Sequence, residues 1–466
     1  MSRINSNIQS LQAIARFNRN SADLGTRLER LSSGLQINRG KDAPAGLIAS
    51  ETLRSEIQGI RQAVDNTTRA NNVINTAEGA LGEVSSLLLE LQSLTLEAAN
   101  RGALSQQEIE ANQLQVDSIL NSINRISNTT QFNGIKLLNG ALDYTTSGVT
   151  SGQIDIVNIN AAKLPDNGFN TITVEVLASA EFGQLAYTGG VPTAPVTIEI
   201  AGNAGVEQVS FGSGTSLASI ATAINQLKDA TGVSAIVSGS AIRLNSTALG
   251  TDQFVSVKTL SGAFTDGKDF GVDATVAING ASADVKGNVA SLRTGDLDIS
   301  VTLDSAFAQS TGTDATFQIT GGGAKFQIGS QVNRQGQIQV GIGSVATTKL
   351  GNDVIGYLSS LGSGGDNSLI SGNNLDAQKI ITEAIRQTAV IRGRLGALQK
   401  NVLETNSNSL NVALENVTAS ESAIRDADFA AETAALTRSQ ILVQANTSVL
   451  AQANAQPQNV LALLGR

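Results

Sequence analysis

The sequence predicts an α+β protein in which helices from both termini form a long antiparallel coiled-coil rod, with a β-rich central insert domain. Two observations support this prediction. Heptad stripes of apolar residues occupy both ends of the 466-residue chain. Residues 141–374 hold 33 of the 46 glycines and 12 of the 15 Phe and Tyr residues. Helical ends around a β-rich middle indicate that the ends pack together and the insert projects.

The first block, residues 1–43, is amphipathic and basic. It carries seven basic and three acidic side chains, a net charge of +4. Asp42 fits the N-cap of the following helix, and Pro44 fits its first turn. The apolar residues of the block recur at helical spacing along one face. They are Ile14, Phe17, Leu24, Leu28, Leu31 and Leu35.

Residues 44–140 predict an antiparallel helical hairpin. An apolar heptad runs from Val73 to Ala98, and Ser105 and Glu108 form a capping box that starts the second helix. The short connection at 101–104 favours antiparallel neighbours. Helical glycines such as Gly79 indicate either close helix approach or chance. Residues of the first heptad are Val73, Ala77, Ala80, Val84, Leu87, Leu91, Leu94 and Ala98, and those of the second are Ile109, Asn112, Val116, Ile119, Ile123 and Ile126.

The middle of the chain predicts short strands separated by Gly, Asn and Asp turns. One helix, Ser216 to Lys228, interrupts them. Residues 166–321 carry 15 acidic and 6 basic side chains, and their net charge of −9 equals that of the whole chain. The period-2 segments are 153–159, 171–176, 196–200, 241–244, 254–257, 326–328 and 337–340.

The last ninety residues predict almost continuous helix. A heptad with intervals of four and three runs without interruption from Ala377 to Val412, so we expect one seam as far as Asp426, about 75 Å of helix. We expect the end segments 1–43 and 427–466 to be disordered in a monomer and to fold by packing against other copies. The apolar residues of the last segment include Leu436, Leu442, Val443, Ala445, Val449, Leu450, Ala453, Val460, Leu461, Leu463 and Leu464.

Composition excludes several classes of chemistry. The chain has no Cys, His or Trp. Disulfides, the usual zinc, copper and haem ligands, and Ser-His or Cys-His nucleophiles are therefore missing, and we expect neither an enzyme nor a metal or cofactor site. The net charge of −9 argues against nucleic acid. No apolar run approaches the ~18 residues of a membrane span, and the N-terminus does not look like a secretory signal.

Motifs at both ends resemble the signatures of bacterial flagellin, over about residues 1–140 and 375–466. A segment from Thr215 to Ser246 resembles the small insert module of some flagellins and hook-associated proteins. The N-terminal motifs are Ile4 to Asn7, Leu31 to Asn38, Lys41 to Gly46 and Gln131 to Gly134. The C-terminal motifs are Asp426 to Thr433, Ser439 to Leu442, Ser448 to Asn454 and Pro457 to Leu461.

The resemblance implies a structural subunit that self-assembles into the flagellar filament for motility. Helices 1–43 and 427–466 would form the inner filament tube. Segments 44–165 and 322–426 would form the surrounding helical shell, with a β-hairpin near 324–350. Residues 166–321 would be the variable outer domain, with the insert module near 197–262. The implied assembly residues are Ile14, Phe17, Leu24, Leu28, Leu31, Leu35, Leu436, Leu442, Val443, Val449, Leu450, Leu461 and Leu464.

The resemblance also implies partners and a location. The chain would leave the cell unfolded through the flagellar type III export channel and end in the extracellular filament. Its partners would be other copies, an export chaperone on the C-terminal segment, the filament cap and the hook-associated proteins, without nucleic acid or membrane insertion. Two alternatives stay open: a hook–filament junction protein, or a filament subunit whose insert is an adhesive or binding module.

One motif departs from the family. Many flagellins carry a Gln-Arg-x-Arg-Glu-Leu cluster on the second helix, which resembles a contact patch for Toll-like receptor 5. Here Leu89, Glu90, Gln92 and Ser93 stand where the motif has Gln, Arg, Arg and Glu. Both arginines are gone and Glu90 reverses a charge, so we predict weak activation of that receptor.

Overall fold

The computed structural model describes the backbone of residues 7–165 and 168–464, and the side chains of residues 7–165 and 168–456. Helices lie at both ends and strands between them, as the sequence predicts. The helices are α1 Ile8–Ser33, α2 Pro44–Ala99, α3 Gln106–Thr129, α4 Leu217–Gln226, α5 Lys228–Thr231, α6 Ser305–Ala308, α7 Asn374–Leu398, α8 Thr405–Arg425 and α9 Phe429–Leu464.

The strands fill the region between α3 and α7. They are β1 Gln131–Phe132, β2 Ile135–Lys136, β3 Tyr144–Ser147, β4 Ile154–Ala162, β5 Asn170–Ala178, β6 Gln184–Tyr187, β7 Val196–Gly202, β8 Val206–Phe211, β9 Val233–Ser238, β10 Ala241–Ser246 and β11 Phe254–Ser261. Then follow β12 Gly267–Phe270, β13 Thr275–Ile278, β14 Ala281–Ser282, β15 Asp284–Lys286, β16 Val289–Arg293, β17 Leu297–Leu303, β18 Asp314–Gly322, β19 Ala324–Gln327, β20 Gln337–Val340, β21 Gly351–Asn352 and β22 Gly356–Tyr357.

The chain divides into two compact units. The first comprises residues up to 69, the loop 327–336 and residues from 402 onward; the second comprises residues 70–326 and 337–401. Within the described residues, no helix is both long enough and apolar enough to cross a bilayer.

In the second unit, α7 runs antiparallel to α2. Side-chain hydrogen bonds join Asn374 Nδ2 to the Ala98 carbonyl at 3.3 Å and Arg392 Nε to Glu78 Oε1 at 2.9 Å. The buried stripe on this part of α2 differs from the predicted heptad at alternate positions. Ile74, Leu81 and Leu88 are buried, whereas the predicted residues Val73, Ala80 and Leu87 beside them are only partly buried. The stripe is Ala70, Ile74, Ala77, Leu81, Val84, Leu88, Leu91, Leu94 and Ala98.

Helix α3 confirms both of its sequence predictions. Ser105 Oγ accepts from the Glu108 amide at 3.3 Å, and Glu108 Oε2 accepts from the Ser105 amide at 2.6 Å, which is the capping box. The predicted stripe is buried from Ile109 to Ile123. Buried Gln113 also joins α3 to the segment before α7. Its side chain donates to the Leu361 carbonyl at 2.9 Å and accepts from the Leu369 amide at 2.8 Å.

The predicted C-terminal heptad is wrong beyond Leu398. Residues Gln399–Glu404 form a π-helical turn, which accommodates one residue more than an α-turn. The buried side of the helix therefore moves by one position, so that Leu403 is fully buried while Ser409 and Val412 are exposed. The shifted register brings larger apolar residues inward than the predicted one. They are Leu403, Leu410, Leu414 and Val417.

In the first unit, α8 runs antiparallel to α2. Asn406 Nδ2 donates to Thr67 Oγ1 at 3.3 Å, and Arg425 Nη1 donates to Glu51 Oε1 at 2.9 Å. Asp42 does not cap α2; its carboxylate accepts the amides of the preceding turn, Asn38 at 3.2 Å and Arg39 at 2.8 Å.

The loop between β19 and β20 packs on the helices of the first unit. Asn406 donates to the Ile328 carbonyl at 3.0 Å, and a Cβ on Gly59 would lie 2.9 Å from the Ser330 carbonyl oxygen. Close approach therefore explains Gly59. It does not explain Gly79 or Gly393, which would meet nothing within 4 Å.

Two hydrophobic cores fill the β-rich region. The first lies between the sheets β14-β13-β5-β18-β3 and β15-β16-β17-β4, and it begins at Tyr144. Strand β4 pairs with β17, so the expected boundary at residue 166 cuts through a sheet. The second core, from about Leu185 to Phe264, lies among β6-β10-β9, β12-β11-β7-β8 and the amphipathic α4, and is wider than the 197–262 expected for the insert module.

Candidate assembly interface

The terminal helices α1 and α9 pair antiparallel within the first unit. At one end, Asn7 Nδ2 donates to the Ala453 carbonyl at 2.8 Å and Ser10 Oγ donates to Asn454 Oδ1 at 2.7 Å. Further along, Ser439 Oγ donates to Asp23 Oδ2 at 2.6 Å. We expected these segments to lack structure without other copies, whereas the described parts of both are helical and contact one another.

A β-bridge fixes the other end of the pair. Leu35 pairs with Asp426: the Gln36 amide donates to the Arg425 carbonyl at 2.7 Å, and the Ala427 amide donates to the Gly34 carbonyl at 2.9 Å. Gly34 ends α1 with φ of 72°, a left-handed conformation that glycine adopts without strain.

The facing sides of the two helices alternate apolar residues with small or polar ones. Both follow heptad intervals of three and four, which keeps one line of each helix toward the other. On α1 the line is Ser10, Ala13, Phe17, Asn20, Leu24, Arg27 and Leu31. On α9 it is Glu432, Leu436, Ser439, Val443, Asn446, Leu450 and Ala453. Of these residues, only the small or polar members Ser10, Ala13, Glu432, Ser439 and Ala453 are buried, and the large apolar members are partly exposed.

Glu432 is the electrostatic centre of the pair. Arg27 Nη1 donates to both of its carboxylate oxygens at 3.0 Å, and Arg30 Nη1 donates to Oε1 at 3.0 Å. Burial by itself raises the pKa of Glu432, but the hydrogen bonds and positive charges of Arg27 and Arg30 outweigh it and lower that pKa below its ordinary value. The carboxylate therefore stays ionised between the two guanidinium groups.

The predicted assembly residues fall into two sets. Seven are partly buried: Phe17, Leu24, Leu31, Leu436, Val443 and Leu450 on the facing lines, and Leu35 at the bridge. Four lie outside those lines and are exposed: Ile14, Leu28, Leu442 and Val449. Leu461 and Leu464 lie outside the residues whose side chains are described.

Two groups of residues escaped the sequence analysis. The polar contacts of Glu432 with Arg27 and Arg30 were missed because heptad counting follows apolar residues only. The net charge of +4 in residues 1–43 could have indicated these contacts, because a basic helix favours a partner helix that carries carboxylates. The other missed group is a set of exposed large apolar side chains on the same helices: Ile8, Leu11, Phe429 and Ile441.

The groove of the α1–α9 pair is lined mainly by uncharged polar side chains. An open groove of about 340 Å³ lies between the helices, and amide side chains such as Gln9, Gln12 and Asn446 line most of it. In the part of the chain that the structure describes, no three Asp, Glu, His or Cys side chains converge as metal ligands.

The four residues at the positions of the receptor-contact motif lie on α2 in the second unit. Leu89, Glu90 and Ser93 are exposed, and Gln92 is partly buried. The surface at this position is therefore apolar and acidic, without a guanidinium group from these four residues.

Three family models match the chain. The bacterial flagellin N-terminal helical region matches residues 4–143, and the bacterial flagellin C-terminal helical region matches residues 378–464. The flagellin hook IN motif matches residues 197–248, inside the second β-core.

Several flagellins are similar to the chain over nearly its whole length. Flagellin of Salmonella typhimurium is 30% identical, with 99% of both chains covered. Flagellin D of Vibrio anguillarum is 31% identical and B-type flagellin of Pseudomonas aeruginosa 30% identical, each over 99% of both chains. Among solved structures, FliC from Burkholderia pseudomallei is 14% identical, with 71% of this chain and 98% of that chain covered and a TM-score of 0.25.

Proposed function

The chain belongs to the bacterial flagellin family, and we propose that copies of it polymerise through the paired terminal helices α1 and α9. It is a structural subunit of the flagellar filament and not an enzyme. The junction-protein and adhesive-insert alternatives are not favoured, since the relatives matched over 99% of their length are flagellins.

One observation carries the proposed assembly surface: the α1–α9 pair buries small and polar residues and leaves large apolar ones exposed. Leu11, Ile14, Phe429, Ile441 and Val449 all keep a substantial part of their surface in water. Large exposed apolar side chains along both helices of the pair make it a candidate interaction surface. Other copies of the chain would cover it in the filament.

The energetics favour assembly over a stable isolated pair. Burying a large aliphatic side chain completely contributes roughly 1.5–3 kcal/mol. Docking of each subunit would bury several such side chains at once, which offsets the loss of rotational and conformational freedom on association. The polar contacts at Glu432 and Asp23 hold α9 against α1 before the subunit docks. Less conformational freedom is then lost on association.

We assign the remaining segments by the same reasoning. The terminal helices 1–43 and 427–466 would line the inside of the filament tube, and 44–165 with 322–426 would form the shell around them. Residues 166–321 would face outward, although the first β-core already begins at Tyr144. Export of the unfolded chain, with a chaperone on the C-terminal segment, would keep the apolar face of α9 from self-association.

Deletion of residues 427–466 tests the assembly surface. We expect the truncated chain to stay folded, because neither β-core draws residues from α9. It should fail to elongate filament seeds. Circular dichroism and heat unfolding of the truncated monomer control for folding. Normal filaments from the folded, truncated chain would refute the proposal.

A cell reporter for Toll-like receptor 5 tests the receptor prediction. We expect weak activation by the native chain, because Glu90 and Gln92 stand where the motif has arginines. The quadruple variant L89Q/E90R/Q92R/S93E rebuilds the motif on mainly exposed positions and should raise activation. A native chain as potent as a motif-bearing flagellin would contradict the prediction.

A further inference from the structure

A basic aromatic patch lies on the outer face of the second β-core. Strands β11 and β12 pair so that Phe254 faces Phe270, with the ring centroids 6.0 Å apart. Lys268 Nζ lies 4.1 Å from the Phe254 centroid and 4.6 Å from that of Phe270. Phe270 is 55% exposed although it is aromatic. Phe254, Lys268 and Phe270 together are named the aromatic patch.

This patch is unusual within its surroundings. Residues 166–321 carry a net charge of −9, so the outer regions of two copies repel each other at most orientations. A lysine held between two partly exposed rings offers both a positive charge and apolar area at one place. Aromatic side chains with a polar or charged neighbour are typical of protein–protein contacts.

A complementary acidic surface lies on the first β-core. Glu175 of β5 and Asp314 of β18 are direct cross-strand partners. Both are exposed, and they lie on the outer face because Val174, Val176 and Ala315 on either side of them are buried. Leu177, two residues beyond Glu175 on the same face, is 53% exposed. Glu175, Leu177 and Asp314 together are named the acidic patch.

The acidic patch lacks a cation of its own. Like charges directly opposite each other destabilise an antiparallel pair. Within the described residues, neither Glu175 nor Asp314 forms an ion pair. A lysine flanked by apolar surface would relieve the repulsion and cover Leu177.

We propose that the aromatic patch of one copy docks on the acidic patch of a second copy, so that the outer β-regions contact one another in the assembled protein. The two patches differ, so the contact is heterologous and repeats from subunit to subunit along a row. This inference rests on the proposed function, since it needs copies held side by side in a polymer. Single contacts of this size are weak, and the high local concentration in the polymer makes them effective.

Cross-linking through introduced cysteines tests the contact, since the native chain has no cysteine. The cysteines stand beside the patches and not in them: Val272, two residues beyond Phe270, is 45% exposed, and Thr316, two residues beyond Asp314 on β18, is also exposed. Filaments of the V272C/T316C variant are treated with a short bismaleimide and separated under denaturing conditions. We expect a ladder of covalent multimers. The control V206C/T316C places a similarly exposed position on β8 against the same partner and should stay monomeric. V272C alone should also stay monomeric, because a heterologous contact does not bring Val272 of one copy next to Val272 of another.

Charge reversal tests the chemistry. In the V272C/T316C background, K268E should abolish the ladder, and the further changes E175K and D314K in the same chain should restore it. Electron microscopy first establishes that each variant forms filaments; failure of the native chain at that step would contradict the proposed function itself. Normal filaments without a ladder, a ladder from V272C alone, or a ladder insensitive to K268E would each overturn the inference.

Discussion

Replacing Ile441 by serine isolates the contribution of an exposed apolar residue on α9. Ile441 is 60% exposed in the α1–α9 pair. Complete burial of such a side chain contributes roughly 1.5–3 kcal/mol, so covering the exposed 60% in the filament contributes about 1–2 kcal/mol. The monomer should lose less than about 0.5 kcal/mol, because the side chain is mostly in water there.

Seeded elongation measures this loss. A loss of about 1–2 kcal/mol per subunit raises the critical concentration for elongation about 5- to 30-fold. The matched control is I236S, since Ile236 on β9 is 57% exposed but lies far from both termini in sequence. We expect the control to elongate at the native concentration. Equal critical concentrations for I441S and the native chain, or equal effects of the two substitutions, would refute the reasoning.

Three further predictions concern stability. The ion pairs of Glu432 should stabilise the α1–α9 pair fully above the ordinary glutamate pKa, and progressively less as the pH falls through the lowered pKa of Glu432. The variant E432Q should lose about 1.5–3 kcal/mol of stability at neutral pH. Heat unfolding of E432Q should also lack the part of the acid dependence that Glu432 causes in the native chain. G79A should stabilise α2 by up to ~1 kcal/mol, because a Cβ at Gly79 meets nothing. G59A should instead speed amide exchange in the loop at Ser330, because its Cβ would press on the Ser330 carbonyl. Equal exchange rates in that loop for G59A and G79A would contradict the close contact between Gly59 and Ser330. In chemical denaturation, L403A should lower the free energy of unfolding by about 2–5 kcal/mol and V412A by under about 0.5 kcal/mol, because Leu403 is buried and Val412 is exposed. A larger loss for V412A than for L403A would support the unbroken heptad and contradict the change of register.

The helical part of the fold was predictable because its signals are local. The capping box at Ser105 and Glu108 and the stripe from Ile109 to Ile123 require only neighbouring residues. The π-turn at Gln399–Glu404 was not predictable by the same means. From this turn onward the inward residues Leu403, Leu410 and Leu414 lie off the predicted line, and a heptad counted forward from Ala377 assumes a constant register and does not detect such a change.

The β-rich region was predictable in kind but not in extent. Each of the seven period-2 segments overlaps a strand, whereas exposed edge strands such as Val206–Phe211 have no clean alternation. The boundary at residue 166 missed the true start of the core because β4 pairs with β17, more than a hundred residues later. Pairing over such a separation leaves no local pattern.

The α1–α9 contact was half predictable for a similar reason. Apolar spacing predicted Phe17 and Leu24, which lie on the facing side of α1, but it passed over Glu432, whose contacts depend on two arginines of another helix. Which apolar residues remain exposed depends on that pairing as well. Ile441 therefore became a candidate contact only once the α1–α9 geometry was known.

A cryo-EM reconstruction of filaments grown from the purified chain tests the central claim most directly. We expect continuous helical density for residues 8–33 and 429–456 in the innermost layer of the tube. Ile441 should lie in van der Waals contact with a neighbouring subunit, and Glu432 should lie between Arg27 and Arg30 of its own chain. Terminal helices at the outer surface, or Ile441 facing solvent in the assembled filament, would contradict the account.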